Sequence, residues 1–116
     1  MGPIDWNKKV KQALQRTDIM ALSTVGEGGS WTCPVHYDFG PKLELYFQSQ
    51  KDTKHVANIL KDARVSVAIY NPEALPDGGH MGLQIKGSAK LVSKGQWLRF
   101  EIIPGNLTNF YNPAIF

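Results

Sequence analysis

The sequence predicts a small, mainly β domain: a six-stranded antiparallel barrel carrying two helices. Three observations point there. Apolar runs with period-two alternation recur along the chain, turn signatures such as "GEGG", "GPK" and "KGQ" separate them, and only two stretches carry a helical period. The order is one helix, three strands, one helix, three strands. A doubly wound sheet would need a helix between successive strands, whereas a small antiparallel barrel does not. Closing such a sheet also removes most exposed edges.

The first helix is "IDWNKKVKQALQRTD", which places Trp6, Val10, Ala13 and Leu14 on one face, with Asp5 as N-cap and the lysines on the solvated side. Ile19 to Val25 is a short apolar strand that runs into "GEGG". "SWTCPVHYDF" alternates, with Trp31, Cys33, Val35, Tyr37 and Phe39 on one side and Thr32, Pro34, His36 and Asp38 on the other. Pro34 has no N–H to give a ladder, so this strand is expected at an edge or bulged. "LELYFQS" is the third strand, with Leu43, Leu45 and Phe47 on one face. "DTKHVANILKDAR" gives the second helix, with Val56, Ile59, Leu60 and Ala63 inward. "VSVAIY" is the fourth strand and "NPEALPDGGH" a loop. "MGLQIKGSAKLVS" is a long strand whose Gly87 marks a bend, as at a barrel corner. "WLRFEII" and "LTNFYN" are strand segments on either side of "PGN". No internal repeat or low-complexity segment interrupts the chain.

The bulk properties narrow the function classes. With 116 residues there is one domain, spanning 1–116. No apolar run approaches the roughly 20 residues that cross a bilayer, and "MGPIDWNKKVKQ" lacks the core of a signal peptide, so a cytoplasmic protein without membrane partners is expected. The net charge is +3, and no basic stripe interleaved with aromatics marks a nucleic-acid binder. Cys33 is the single cysteine and His36, His55 and His80 are scattered, which argues against a metal site. Cys33 reads as a small buried apolar residue, and Trp31 and Trp97 as core or interface residues.

The densest polar chemistry lies in "QSQKDTKHVANI", Gln48 to Ile59. A helix that starts after a strand offers free backbone N–H groups and the positive end of the helix dipole, which suits phosphate. Lys51, Lys54 and His55 add charge or donors, and Ser49 and Thr53 add hydroxyls. The residues alone leave two readings open. Either Asp52 or Thr53 simply caps the helix beside solvated lysines, or the junction cradles a phosphate. Asp52 speaks against an anion, and no glycine-rich P-loop is present.

Order and local sequence resemble the pyridoxamine 5'-phosphate oxidase-like family of FMN-binding split β-barrels, from about Trp6 to Phe116. "IMALSTVGEGGSWTCPVHY" is similar to the family's first hairpin, with Trp31 where proline is frequent. "LELYFQSQKDTKHVANILKDARVSVAI" is similar to its strand, phosphate turn, helix and next strand, with Ala63 where proline is frequent. "LQIKGSAKLV" resembles its "V-x-G-x-A" strand, and "IIPGNLTNFYN" its last strands. The resemblance implies FMN. Ser49, Thr53, Lys54 and His55 match the family's phosphate ligands, with Lys51 beside them, and His55 stands where lysine is common. Gln48 and Ser49 match the path of the ribityl chain. Cys33 to Tyr37, with Pro34, Val35 and His36 between them, match the strand whose backbone meets the polar edge of the isoalloxazine. Gln84, on the polar face of the long strand, is a further candidate for a flavin or dimer contact.

The resemblance also implies a homodimer with flavin sites at the subunit interface, acting as an FMN-dependent oxidoreductase on an unassigned small molecule or electron donor. No catalytic residue is assigned. "YNPAIF" lacks the family's Arg-x-His substrate motif, so vitamin B6 oxidation is not expected. The alternatives are a non-catalytic flavin-binding or electron-carrying module, or a relative that binds deazaflavin or haem.

Overall fold

The computed structural model describes residues 5–74 and 80–112. It contains α1 (Trp6–Gln15), β1 (Ile19–Gly26), β2 (Gly29–His36), β3 (Asp38–Phe39), β4 (Leu45–Ser49), α2 (Lys54–Lys61), β5 (Arg64–Tyr70), β6 (His80–Ser93) and β7 (Leu98–Asn112). The strands form one curled antiparallel sheet in the order β2-β1-β5-β6-β7-β4-β3. This is the expected antiparallel split barrel with two helices, but with seven strands instead of six.

The extra strand has a physical reason. β1 begins at Ile19, which pairs with His36, so β1 offers no partner beyond that residue. Tyr37 breaks the strand: its N–H donates to Asp18 O at 2.9 Å, and its buried hydroxyl lies 2.8 Å from Leu14 O and 2.7 Å from Thr17 O at the end of α1. Asp38 and Phe39 then pair with Tyr46 and Leu45 of β4. At the other end, "WLRFEII" and "LTNFYN" are a single strand. β4 covers β7 only from Leu98 to Ile102, so Pro104 sits where β7 has just one neighbour and a missing N–H is tolerated.

The core lies inside the curl. Met20, Leu22, Phe47, Val67, Ile69, Leu83, Phe100 and Ile102 are nearly inaccessible, and Phe47 stacks on Phe100 with centroids 5.1 Å apart. α1 adds Val10, Ala13 and Leu14, and Asp5 caps it through Lys8 N–H···Oδ1 at 3.2 Å. α2 is shorter than expected, ending before Asp62. Two turns present a narrow stripe, so Val56 and Ile59 are buried while Leu60 is 59% exposed and Ala63 lies outside the helix, exposed. A half-buried polar link ties α2 to β1, with Asn58 Nδ2–H donating to the buried Thr24 Oγ1 at 3.0 Å. The bend at Gly87 is a bulge. The β6–β7 register shifts between Lys86 and Gly87, and a side chain at Gly87 would strike the Ile103 carbonyl.

Candidate functional site

The sheet is split between β2 and the β3–β4 end, and a hollow of about 560 Å³ lies along that split. β2 supplies Pro34, Val35 and His36; β4 supplies Tyr46, Phe47, Gln48 and Ser49; α2 supplies His55, and Trp97 closes one side. Main-chain hydrogen bonds alternate along an antiparallel pair. Because Tyr37 N–H is bonded toward β1 and the β1–β2 register is regular, the backbones of His36, Pro34 and Thr32 point away from β1. The proline therefore occupies an outward position, where β2 wastes no ladder bond.

At the α2 end the chemistry suits an anion. Ser49 is 6% exposed, the last residue of β4, and its hydroxyl lies 2.7 Å from His55 Nε2. Burial pushes the His55 imidazole below its ordinary value, so the ring is neutral near pH 7. Phe47 lies against it, ring centroids 6.4 Å apart. Thr53 is the N-cap of α2 but makes no side-chain cap bond; its hydroxyl donates instead to Gln50 O at 2.8 Å. The first turn carries no acid and begins with Lys54, whose Nζ sits 4.2 Å from the centroid of the Trp31 ring. The capping reading of this junction thus lacks the bond that defines it.

The opposite end is an ion-paired aromatic corner. Arg99 makes a bidentate pair with Asp38, at 2.8 and 3.2 Å, and its guanidinium lies 4.6 Å from the Tyr46 ring centroid. His36 Nδ1 is 3.5 Å from Asp18 Oδ2, both side chains well exposed. Burial first, and the Asp18 charge second, push the Tyr37 phenol up to about 12, so it stays neutral beside the Leu14 and Thr17 carbonyls.

Seven of the sequence-predicted residues line the hollow: Pro34, Val35, His36, Tyr37, Gln48, Ser49 and His55. Thr53 and Lys54 stand at the adjoining helix start, and Lys51 is exposed in the turn before it. Cys33 is half-buried in β2 and burial raises its thiol, which keeps it protonated and a poor nucleophile. Gln84 is elsewhere: it lines a separate hollow of about 430 Å³ on the outer face of the sheet, with Ala21, Ser23, Ser66 and Ala68. Trp31 and Trp97 are not core residues, being 43% and 47% exposed. Sequence reasoning missed Asp38, Tyr46, Phe47 and Trp97 as lining residues. The outward position of Asp38 beside His36 in "VHYDF" was the available signal for one of them. Among the described residues no cluster of three or more His, Cys, Asp or Glu could hold a metal, and no helix is long and apolar enough to cross a membrane.

Fold and groove together define a split-barrel protein with a ligand-sized cleft at the split. The chain belongs to the pyridoxamine 5'-phosphate oxidase family, whose pattern it matches over residues 6–101. Among solved structures it is similar to a pyridoxamine 5'-phosphate oxidase candidate from Listeria innocua (16% identity, 90% of this chain and 98% of that one, TM-score 0.76). It is also similar to a heme-binding protein from Mycobacterium smegmatis (14% identity, TM-score 0.76), covering 95% of this chain but only 59% of that one. A FAD-binding protein from Mesorhizobium loti aligns over 89% of this chain and 90% of that one, with 14% identity and a TM-score of 0.73. No curated protein matches the chain.

Proposed function

We propose that the chain is an FMN-binding flavoprotein that works as a homodimer, and that it is an oxidoreductase. The observation that carries this reading is the contact between buried Ser49 and half-buried His55 beside an α2 start that its N-cap side chain leaves uncapped. A phosphate placed there gains the Ser49 hydroxyl, the His55 ring and the first-turn N–H groups, with the Lys54 charge alongside. The hollow of about 560 Å³ falls in the ordinary range of roughly 300–1,000 Å³ for cofactor sites. The outward backbone of β2 offers carbonyl and N–H groups to the polar edge of a planar ring, and Tyr46 and Trp97 offer apolar surface.

Bound FMN would supply the redox-active ring; the protein's part is to hold and orient it. Support for a second copy comes from the outer face, where Ala21, Ser23, Ser66 and Ala68 line an open hollow of small side chains around Gln84. Light scattering is expected to give twice the chain mass, and a single-chain mass with full flavin occupancy would contradict the dimer.

The visible spectrum of the purified protein tests the cofactor, since flavin and haem bands differ. Lys54→Ala tests the phosphate end. The lost charge-assisted bond, roughly 1.5–3 kcal/mol, should weaken FMN binding about tenfold to a hundredfold, while riboflavin binding hardly changes. Equal FMN affinity in both proteins would remove the phosphate assignment. Turnover with reduced nicotinamide and candidate acceptors separates an oxidoreductase from a passive flavin carrier.

A further inference from the structure

A lysine at the first position of a helix is poorly placed, because its charge adds to the positive end of the dipole. Lys54 holds that position in α2, with no acid in the first turn to offset it. Its ammonium nevertheless has a defined partner, the Trp31 ring, 4.2 Å from Nζ to centroid. Trp31 is 43% exposed, so core packing does not account for a tryptophan there. β2 carries this ring on the same strand as Pro34, Val35 and His36, which line the cleft.

We infer that Trp31 is a positioning residue: its indole face holds the Lys54 ammonium at the start of α2, ready for the phosphate of the cofactor. The inference rests on the FMN reading. An ammonium has three N–H donors, and contact with an aromatic face through one side leaves the others free to meet an anion. The lysine stem has much rotamer freedom to lose on binding. A ring that already restricts it lowers that cost, which is preorganisation by one side chain of another.

The test is a double-mutant cycle read with two ligands. FMN and riboflavin are titrated into the wild-type protein, Trp31→Leu, Lys54→Ala and the double variant, with fold checked by circular dichroism. Trp31→Leu should weaken FMN roughly two- to fivefold, the range of an exposed cation–π contact, and leave riboflavin unchanged. In the Lys54→Ala background the same substitution should have no further effect. Trp31→Phe, a weaker π face of similar character, should fall between the wild-type protein and Trp31→Leu, and it serves if the leucine variant folds poorly. Equal or tighter FMN binding by Trp31→Leu, an equal loss for riboflavin, or an undiminished loss without Lys54 would each overturn the inference and leave the cofactor reading standing. A wild-type protein that binds neither FMN nor riboflavin would overturn both.

Discussion

The two helices of this small barrel begin in opposite ways. α1 starts with Asp5, whose carboxylate accepts from Lys8 N–H at 3.2 Å and sets a negative charge at the positive end of the dipole. α2 starts with Thr53, which turns its hydroxyl to Gln50 O, and continues with Lys54 and His55. The first arrangement is complete in itself. The second leaves donors and positive charge gathered at the rim of the cleft, a cost to the isolated chain that an anion would offset. The contrast separates a helix that serves the core from one whose amino end we propose serves a ligand.

The largest effect should come from breaking the structural helix. Leu14 is 2% exposed and packs in the core, so Leu14→Ala should cost about 2–5 kcal/mol of stability through lost burial and a cavity. Urea unfolding measures this. The affinity of the folded fraction for FMN should stay as in the wild-type protein, because the Leu14 carbonyl that receives the Tyr37 hydroxyl is kept. A parallel loss of FMN affinity would show that α1 is not a bystander.

The next effects come from exchanging the two helix starts. Asp5→Ala should cost about 1 kcal/mol, the usual worth of an N-cap, with no change in cofactor binding. Thr53→Asp gives α2 the cap that α1 has. It should raise stability by roughly 0.5 kcal/mol and weaken FMN severalfold, since a carboxylate would then compete with the phosphate for the same N–H groups. If Thr53→Asp stabilised the protein and left FMN affinity intact, the phosphate would have to lie away from the α2 start.

Much of this contrast could be read from the sequence, and the parts that could not share a cause. The Asp5 cap, the edge placement of Pro34 and the bend at Gly87 are local signals: a short carboxylate before an apolar period, a residue without N–H, a residue without Cβ. That Ser49 and His55 belong to one polar cluster was legible because they lie six residues apart in the chain; their direct contact was not predicted. The Asp38–Arg99–Tyr46 corner was not, because it depends on the register of β4 against β7 and joins Asp38 to a residue 61 positions away. Leu60 misled for a different reason. It fits the helical period, but a helix of eight residues buries only one narrow stripe, and the short turn at Asp62 leaves nothing to cover it.

The smallest effect concerns His55 and has a sign that changes with the ligand. Burial holds its folded-state pKa below the ordinary value of 6.5. Between those two values the unfolded chain binds more protons than the folded one, so acid favours unfolding there. The contribution of His55 to stability is therefore fully present above pH 6.5 and is lost as pH falls toward the folded-state value. In urea titrations at pH 7.5 and 5.5, wild type should lose more stability than His55→Gln, which keeps a polar partner near Ser49 but cannot titrate. A phosphate beside the ring acts the other way, since a nearby negative charge favours the imidazolium. Binding FMN should then draw a proton onto His55 from solution, seen as a dependence of the calorimetric heat on the buffer's ionisation enthalpy, and absent in His55→Gln. Proton uptake of the same size in both proteins would place the phosphate out of reach of His55, and α2 would then differ from α1 only in being poorly capped.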